Sequence, residues 1–293
     1  MKNKELIKSG KILEKTLSYA KNIVKNGMPL IDVTEKIEEF VRKQNAKLAF
    51  PVNLSINEIA AHYSAFENDK NICHGLIKID IGINYNGNIT DAAISIDLAK
   101  NEENKKIIQA CKNALKSAIK IIKPNIQVYE IGKIIEEKIK EYELKPIYNL
   151  MGHCIEKNKL HTGKSIPNYN NYETTKIYEN EVIAIEPFAT LKNASGYVID
   201  GERSSIWILK KEKKVRLYRE VYEFIKNNFN GLPFSERWVK FQNYLLALNY
   251  FKSQDILYNY PQLIEKTKAK VGQFETTILV KDKPKILVDV FNL

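Results

Sequence analysis

Apolar residues recur at intervals of three and four along four segments of the chain, which is the spacing of one helix face. These segments predict helices over residues 4–24, from about 32 to 43, over 103–122 and over 128–142. Between the two pairs, residues 50–98 have the character of strands. The pattern therefore predicts a mixed fold in which a pair of helices precedes strands twice.

The two helical pairs are related to each other by an offset of 98 residues. Positions that match at this offset include Leu17 and Leu115, Ala20 and Ala118, Ile37 and Ile135, and Phe50 and Tyr148. The period is too long for a solenoid, so we interpret it as a two-fold repeat of a helix–helix–strand unit. Duplicated halves place a functional site at their junction.

The second half of the chain returns to strand character on either side of a helical block. Residues 215–228 and 234–250 have helical spacing, so a block over about 206–270 interrupts a β-rich region. No Gly- or Ser-rich linker divides the chain. The prediction is one α+β domain over 1–293, with a helical insertion over 206–270.

Four acidic residues stand inside apolar, strand-like runs. They are Asp80 in LIKIDIGIN, Asp91 in NITDAAISI, Glu186 in VIAIEPFAT and Glu275 in GQFETTILV. Acidic side chains are depleted in strands, and a buried carboxylate is costly unless it is paired or bound to a metal ion. These acids are therefore the strongest candidates for chemistry.

Asp80 and Asp91 can be placed relative to each other, because Asn86-Gly87 between them is a hairpin turn signal. With these two residues as the loop, position 80 opposes position 93, and both acids share one face of the hairpin on a diagonal. Two carboxylates this close repel, and one takes up a proton unless a cation lies between them. The alternative is a pair of exposed acids that face water.

Three of the four histidines stand in turn-rich contexts near strands, namely His62, His153 and His161. Carboxylates with one imidazole and no thiolate make a hard, oxygen-rich site, which suits Mn²⁺, Fe²⁺, Co²⁺ or Zn²⁺. Four acids with one or two histidines have enough donors for two ions and a bridging water. The phosphate-loop, dinucleotide-binding, HExxH and GxSxG motifs are absent from the sequence, which argues against those enzyme classes.

Charge and composition limit the classes of partner. The chain has 46 basic and 35 acidic residues, a net charge of +11, and such a surplus favours anionic partners such as RNA. The basic residues are nearly all lysines without an arginine–aromatic cluster, so we expect no specific nucleic-acid binding. No run reaches about 18 apolar residues, and three cysteines are too few for a disulfide framework. We expect no membrane contact and a cytoplasmic location.

The acids and one histidine resemble the metal-ligand set of the methionine aminopeptidases, in the order Asp80, Asp91, His153, Glu186 and Glu275. The strings KIDIG, ITDAA, NLMGH, AIEPFAT and QFETTI match, as do FPVNLSINEIAAHY and GHCIEKNKLHTGKSIPN, so the resemblance covers essentially the whole chain. It implies the pita-bread (creatinase/aminopeptidase) fold, in which two α/β halves are related by a pseudo-two-fold axis. The separation of 89 positions between the two glutamates resembles that of the type 2 enzymes in their compact archaeal form, where a helical insertion fills this gap.

The resemblance implies two metal ions and a role for each ligand. Asp80 is expected to chelate one ion, Asp91 and Glu275 to bridge both, and His153 with Glu186 to complete the other site. A metal-bridging water or hydroxide then attacks the carbonyl that follows the first methionine. Glu186 is also expected to assist proton transfer.

Four further residues are implied on the substrate side. His62 and His161 are expected to contact the substrate amide and to stabilise the tetrahedral intermediate. Phe50 is expected to form a wall of the methionine pocket, and Tyr260 to approach it from the insertion. The implied function is removal of the initiator methionine from nascent proteins with a small second residue, by a monomeric enzyme.

Two residues depart from the family pattern. Thr276 stands where type 2 enzymes usually have histidine, and Met151 stands where the residue is often small or polar. Neither is expected to be a metal ligand.

Two alternatives remain within the same fold. One is a proline-directed aminopeptidase, which would hydrolyse X-Pro peptides in preference to Met-Ala. The other is a non-catalytic relative associated with the ribosome, although such relatives typically lose metal ligands. The net charge also predicts a weak association of a working enzyme with the ribosome.

Overall fold

Helices and strands alternate along the chain, in a computed structural model that describes residues 2–229 and 231–293. The helices are α1 (Lys2–Ile23), α2 (Leu30–Lys43), α3 (Glu102–Ile121), α4 (Val128–Lys140), α5 (Arg219–Phe229) and α6 (Tyr244–Ser253). The four helices predicted in the first half of the chain are confirmed.

The strands are β1 (Lys47–Leu48), β2 (Asn53–Ile56), β3 (Ile59–Ala61), β4 (Leu76–Tyr85), β5 (Asn88–Asp97), β6 (Leu144–Pro146), β7 (Met151–Glu156), β8 (Lys159–Pro167), β9 (Val182–Ile185), β10 (Phe188–Leu191), β11 (Val198–Leu209), β12 (Phe234–Ser235), β13 (Leu257–Glu265), β14 (Val271–Gln273), β15 (Thr276–Leu279) and β16 (Lys285–Ile286). The mixed α and β content that the sequence predicts is confirmed.

The helices form where their apolar positions can be buried. In α2, the residues at helical spacing (Leu30, Val33, Ile37 and Val41) are all buried. Helix α3 begins at a side-chain cap, since the Asn101 side chain accepts a hydrogen bond from the backbone N–H of the residue three positions later, at 2.8 Å. Local signals and burial therefore agree along these helices.

The two-fold repeat appears in the order and spacing of the elements. Helix α2 begins at residue 30 and helix α4 at residue 128, which is the predicted offset of 98. Strand β2 begins at residue 53 and strand β7 at residue 151, at the same offset. The repeated helix–helix–strand unit is thus confirmed over these elements.

Two sheets bring the halves of the chain together. In the first, β4 pairs with β5 along one edge and with β1 and β2 along the other; the second has the order β16-β15-β9-β7-β8. The sheets meet where the backbone N–H of Glu275 donates a 2.9 Å hydrogen bond to the carbonyl oxygen of Ala93. The largest apolar core draws residues from both halves.

The segment 206–270 builds a small core of its own. Trp207, Phe234 and Phe251 are buried there together with apolar residues of α5 and α6. A buried ion pair fastens this segment to α2, with Arg237 Nη2 at 2.5 Å from Glu38 Oε1. That the segment is an insertion remains a prediction.

Within this segment the structure differs from the helices that the sequence predicts. The predicted helix over 234–250 is instead strand β12, a 3₁₀ turn over Glu236–Trp238, and α6, which begins only at Tyr244. Strand β13, which the prediction omits, pairs with β11. Helical spacing cannot reveal strand pairing that depends on a distant partner, and the left-handed backbone of Asn243 (φ 57°) delays the helix.

The described part of the chain contains no helix that is both long and apolar enough to cross a membrane.

Candidate metal centre

The β4–β5 hairpin sets the positions of the first two acids. Its two turn residues have φ of 53° and 85°, as a type I′ turn requires. The register places Asp80 opposite Ala93 and Asp91 opposite Gly82, so the predicted diagonal arrangement is confirmed. Asp91 is only 4% exposed and Asp80 is half-buried. The alternative in which both acids face water is therefore wrong.

The second sheet carries the other two acids and the histidine. Glu186 directly follows β9 and Glu275 directly precedes β15, and the antiparallel register of these strands sets the glutamates across from each other. His153 lies opposite Ala184 in the same sheet. Because side chains alternate along a strand, His153 and Glu186 share one face.

Hydrogen bonds between β5 and β15 bring the acids of the two sheets together. The hydroxyl of Thr277 accepts from the backbone N–H of Asp91 and donates to the carbonyl of the same residue, both at 2.7 Å. Ala93, two residues further along β5, pairs with the backbone of Glu275. Asp91 is thereby fixed against the strand that continues from Glu275.

Asp91, His153 and Glu275 form the tightest part of the cluster. Each offers a ligand atom, and these atoms lie within 4.8 Å of one another. His153 Nε2 is 3.6 Å from Asp91 Oδ2 and 4.0 Å from Glu186 Oε1. Asp80 and Glu186 lie outside the group of three but are close enough to influence its charges, as the pKa values below indicate.

Three carboxylate oxygens of the cluster are buried and have no hydrogen-bond partner among the residues that the structure describes, namely Asp80 Oδ1, Asp91 Oδ1 and Glu275 Oε1. Burial raises the pKa of Asp91 to about 8. Burial and then the charges of neighbouring acids raise the pKa values of Asp80, Glu186 and Glu275 well above their usual range. A hard divalent cation satisfies such oxygens, so the residues present fit a metal ion.

These pKa values predict how the metal-free protein responds to pH. Between pH 6.5 and 8 the acids of the unfolded chain are ionised, while Asp91, with a raised pKa of about 8, keeps its proton in the folded state. The folded state then binds more protons, so stability falls as the pH rises through this window. We expect the melting temperature of the chelated protein, measured by calorimetry, to fall by about 2–4 °C per pH unit.

Groups whose pKa burial lowers oppose this trend, because the unfolded chain binds the proton that they lose. Lys78, with a pKa lowered to about 7, acts within the window, and His62 and His153, with pKa values lowered to about 4, act mainly below about pH 7. The acids with raised pKa values outnumber Lys78, so the net slope stays negative. Chelated Asp91→Asn is the matched control and should show a flatter slope, and saturating Mn²⁺ should remove the loss in the wild type. An equal slope in the chelated variant would contradict this account.

His62 has a backbone conformation that is uncommon for its residue type. Its φ is 64°, in the left-handed region, and surrounding structure must hold it there. Its Nδ1 is 3.3 Å from the carbonyl oxygen of Pro261. A carbonyl oxygen only accepts, so Nδ1 carries the proton and Nε2 is left as an acceptor. With its pKa lowered by burial, the ring is neutral at pH 7.

His161 is placed by an irregularity in the second sheet. Strand β8 pairs with β7, but the register shifts next to His153. The rings of the two histidines pack edge to face with their centroids 4.3 Å apart. Desolvation and then His153 lower the pKa of His161 to about 3, although the residue as a whole is exposed. It is a neutral group at the rim of the site.

One cavity joins the acids, the two substrate-side histidines and several apolar walls. Its lining residues are Phe50, Asn53, His62, Asp80, Asp91, Leu160, His161, Ile206, Pro233 and Tyr260. The ring of Phe50 lies over Gly82, where an added Cβ would come within 2.3 Å of a ring carbon. Tyr260 packs edge to face against His62, at 5.2 Å between centroids. The structure thus brings the predicted Phe50, His62, His161 and Tyr260 together beside two of the acids.

Four lining residues are absent from the predicted set, namely Asn53, Leu160, Ile206 and Pro233. Asn53 is buried directly opposite Asp80 in the β2–β4 pair. The alternation of polar and apolar residues in NLSI is a signal that identifies it. Ile206 and Pro233 come from the segment 206–270, and no local pattern indicates which of its residues reach the cavity.

The two residues that depart from the family pattern, Thr276 and Met151, differ in burial. The hydroxyl of Thr276 donates a 2.6 Å hydrogen bond to the carbonyl of Val288. Thr276 follows Glu275 directly, so its side chain points to the other face of the strand. Met151 is 37% exposed at the start of β7.

Comparison with known proteins agrees with this geometry. Residues 4–231 match metallopeptidase family M24. The chain is 39% identical over 287 residues to a methionine aminopeptidase of Thermococcus onnurineus, and the match covers 94% of this chain and 95% of that one.

Two solved structures are similar in fold. A thermophilic Arx1 has a TM-score of 0.85 at 17% identity, covering 97% of this chain and 90% of that one. A methionine aminopeptidase of Thermotoga maritima has a TM-score of 0.70 at 20% identity, covering 97% and 94%. The predicted pita-bread fold is confirmed.

Proposed function

Since the chain belongs to metallopeptidase family M24 and, within it, to the methionine aminopeptidases, we propose that it removes the N-terminal methionine from polypeptides whose second residue is small. The observation that carries this proposal is the meeting of a buried acid–histidine cluster with an apolar cavity that also contains two neutral histidines. The protein is a metal-dependent hydrolase.

We propose that the cluster holds two divalent ions, with Co, Mn, Fe and Zn all compatible with its donors. Asp80 would hold one ion, His153 and Glu186 the other, and Asp91 and Glu275 both. The unpartnered buried oxygens support this assignment, because each needs a cation or a donor. A bound divalent metal supplies Lewis-acid activation of the attacking water and of the scissile carbonyl.

His62 is proposed to orient the scissile amide. Its Nδ1 proton is directed to Pro261, so the acceptor lone pair on Nε2 is free for the amide N–H of the substrate. A neutral imidazole is required for this role, and burial keeps it neutral at pH 7 by lowering its pKa. His161, also neutral, is proposed to donate a hydrogen bond to the oxygen that becomes negative during the reaction.

The methionine side chain is proposed to enter the cavity between Phe50, Ile206 and Tyr260. A thioether suits apolar and aromatic walls of this kind. Gly82 leaves space for the ring of Phe50. Because Gly82 and Asp80 lie two residues apart on β4, the ring of Phe50 and the carboxylate of Asp80 are on the same face of this strand. In this arrangement the carbonyl of the first residue would lie next to the carboxylate cluster.

Mass spectrometry of a Met-Ala-Ser peptide tests the reaction. The chelated protein should leave the peptide intact, and restored Mn²⁺ or Co²⁺ should release one methionine. Met-Pro and Met-Trp peptides separate the outcomes: preference for X-Pro would favour a proline-directed aminopeptidase, and rapid cleavage before tryptophan would refute the small-residue rule. Absence of cleavage by folded, metal-loaded protein would favour a non-catalytic relative.

A nascent polypeptide N-terminus is the proposed substrate, and the protein is proposed to act as a cytoplasmic monomer. Its net charge of +11 supports a weak, electrostatic contact with the ribosome. Co-sedimentation with ribosomes should then decline as the salt concentration rises, and its complete absence at low salt would remove this part of the proposal.

A further inference from the structure

A lysine outside the predicted site is completely buried. Lys78 lies on β4 two residues before Asp80, so both side chains are on one face of the strand. It is 0% exposed, and its Nζ donates a 2.8 Å hydrogen bond to the carbonyl oxygen of Asn57. Lysine is almost never fully buried unless it is paired, so this contact calls for an explanation.

Asn57 is a junction between three segments of the chain. It occupies the turn between β2 and β3, with a left-handed φ of 49°, five residues before His62. Its side-chain oxygen accepts from the N–H of Leu76 at 2.9 Å, and its own N–H donates to the carbonyl of Leu76 at 2.8 Å. The carbonyl that binds Lys78 also accepts from the N–H of Val271 at 3.0 Å. One oxygen atom therefore ties β4, the β2–β3 turn and β14.

Strand β14 leads from this junction to the acids. The hydroxyl of Ser95 donates to the carbonyl of Gln273 at 2.8 Å and accepts from its N–H at 2.9 Å. Ser95 lies directly opposite Lys78 in the β4–β5 pair. The side-chain amide of Gln273 then donates to Glu275 Oε2 at 3.2 Å. Buried polar contacts thus extend from the surroundings of Lys78 to a proposed bridging ligand.

We propose that Lys78 is a positioning residue for the metal centre. Its amine holds the turn that leads to His62 and the strand that leads to Glu275 in a fixed relation to Asp80. Both the charged and the neutral amine can donate the hydrogen bond to Asn57, so the role does not depend on the protonation state of Lys78. The inference rests on the proposed metal site and extends it beyond the five ligands.

Lys78→Met tests this role, because it keeps an unbranched side chain and removes the donor. We expect the affinity for Co²⁺ and Mn²⁺, measured by titration calorimetry, to fall about 10-fold, the lower end of the loss that follows removal of a group bonded directly to a metal ligand, because Lys78 acts through Asn57. The visible spectrum of the cobalt-substituted protein should shift, because the ligand geometry changes. The kcat on Met-Ala-Ser should fall by a similar factor, with KM within about two-fold, because the apolar walls are untouched.

Ile107→Val is the matched control. The buried side chain of Ile107 lies against Gly272 of strand β14, and the substitution deletes one buried carbon beside this strand without removing a polar contact. Its metal affinity and cobalt spectrum should match the wild type. Equal losses in Lys78→Met and Ile107→Val would overturn the proposal, as would a wild-type spectrum and affinity in Lys78→Met.

If Lys78→Met does not fold, Lys78→Gln provides the same test, since its terminal nitrogen stands one bond short of the position from which Nζ makes the 2.8 Å hydrogen bond to Asn57. Wild-type metal affinity in Lys78→Gln would overturn the proposal. The cobalt spectrum reports metal binding independently of turnover, so it tests the role of Lys78 separately from the proposed activity. Wild-type protein that binds metal but leaves Met-Ala-Ser uncut refutes the proposed function, whereas the effect of Lys78 on the spectrum is still decided.

Discussion

Asp91→Asn should bind divalent metal at least about 100-fold more weakly than the wild type, and its turnover should fall at least as far. The substitution keeps the shape of the side chain and removes the negative charge that Asp91 would carry when a cation is bound, beside His153 Nε2 at 3.6 Å. Groups that only orient ligands already change affinity by about 10–100-fold, so a bridging ligand should matter more.

Metal content by elemental analysis and turnover on Met-Ala-Ser measure this effect together. Asp200→Asn is a charge-matched control, because Asp200 is an exposed acid on strand β11 and does not belong to the cluster. The control should keep its metal. Full metal content and full activity in Asp91→Asn would exclude a bridging role for Asp91.

His62→Ala should lower kcat by about 10²–10³-fold and leave the metal content unchanged. The expected loss arises because the proposed acceptor of the substrate amide N–H disappears, while every proposed ligand remains. Stopped-flow or steady-state kinetics on Met-Ala-Ser, together with elemental analysis of the same sample, measure both quantities. Loss of bound metal would contradict the assigned role.

The left-handed backbone of His62 requires a second variant. A φ of 64° costs a non-glycine residue about 1–2 kcal/mol; histidine tolerates this conformation better than alanine does, and glycine adopts it freely. His62→Gly therefore removes the same imidazole without the strain. Equal losses of kcat in the two variants would assign the effect to the ring, and a much smaller loss in the glycine variant would assign it to backbone distortion.

The part of the site that the sequence predicts from physical principles is the hairpin. Its turn residues have backbone requirements that fix the register, and the register fixes that Asp80 and Asp91 share a face. The relative position of Glu186 and Glu275 cannot be predicted in this way, because they are 89 positions apart in the sequence. Their position across from each other follows from the pairing of β9 with β15, and only the family resemblance indicated it beforehand.

Other features lie beyond local pattern. Ile206 and Pro233 reach the cavity because β11 and β12 pair within a segment whose spacing looks helical. The conformation of His62 and the burial of Lys78 depend on contacts with Pro261 and Asn57, which no period in the sequence records. Local sequence patterns therefore predict strands and turns well. They do not predict which side chains from distant strands line a cavity.

Two parts of the chain contribute different functions to one cavity: one supplies the proposed metal-binding acids, and segment 206–270, which has a small core of its own, supplies walls for the N-terminal side chain. The acids come from the repeated halves of the chain, whereas Ile206, Pro233 and Tyr260 come from a segment that buries its own aromatic residues. Replacement of that segment should therefore change which N-terminal side chain is accepted and leave the acids in place, provided that the contact between Pro261 and His62 is kept.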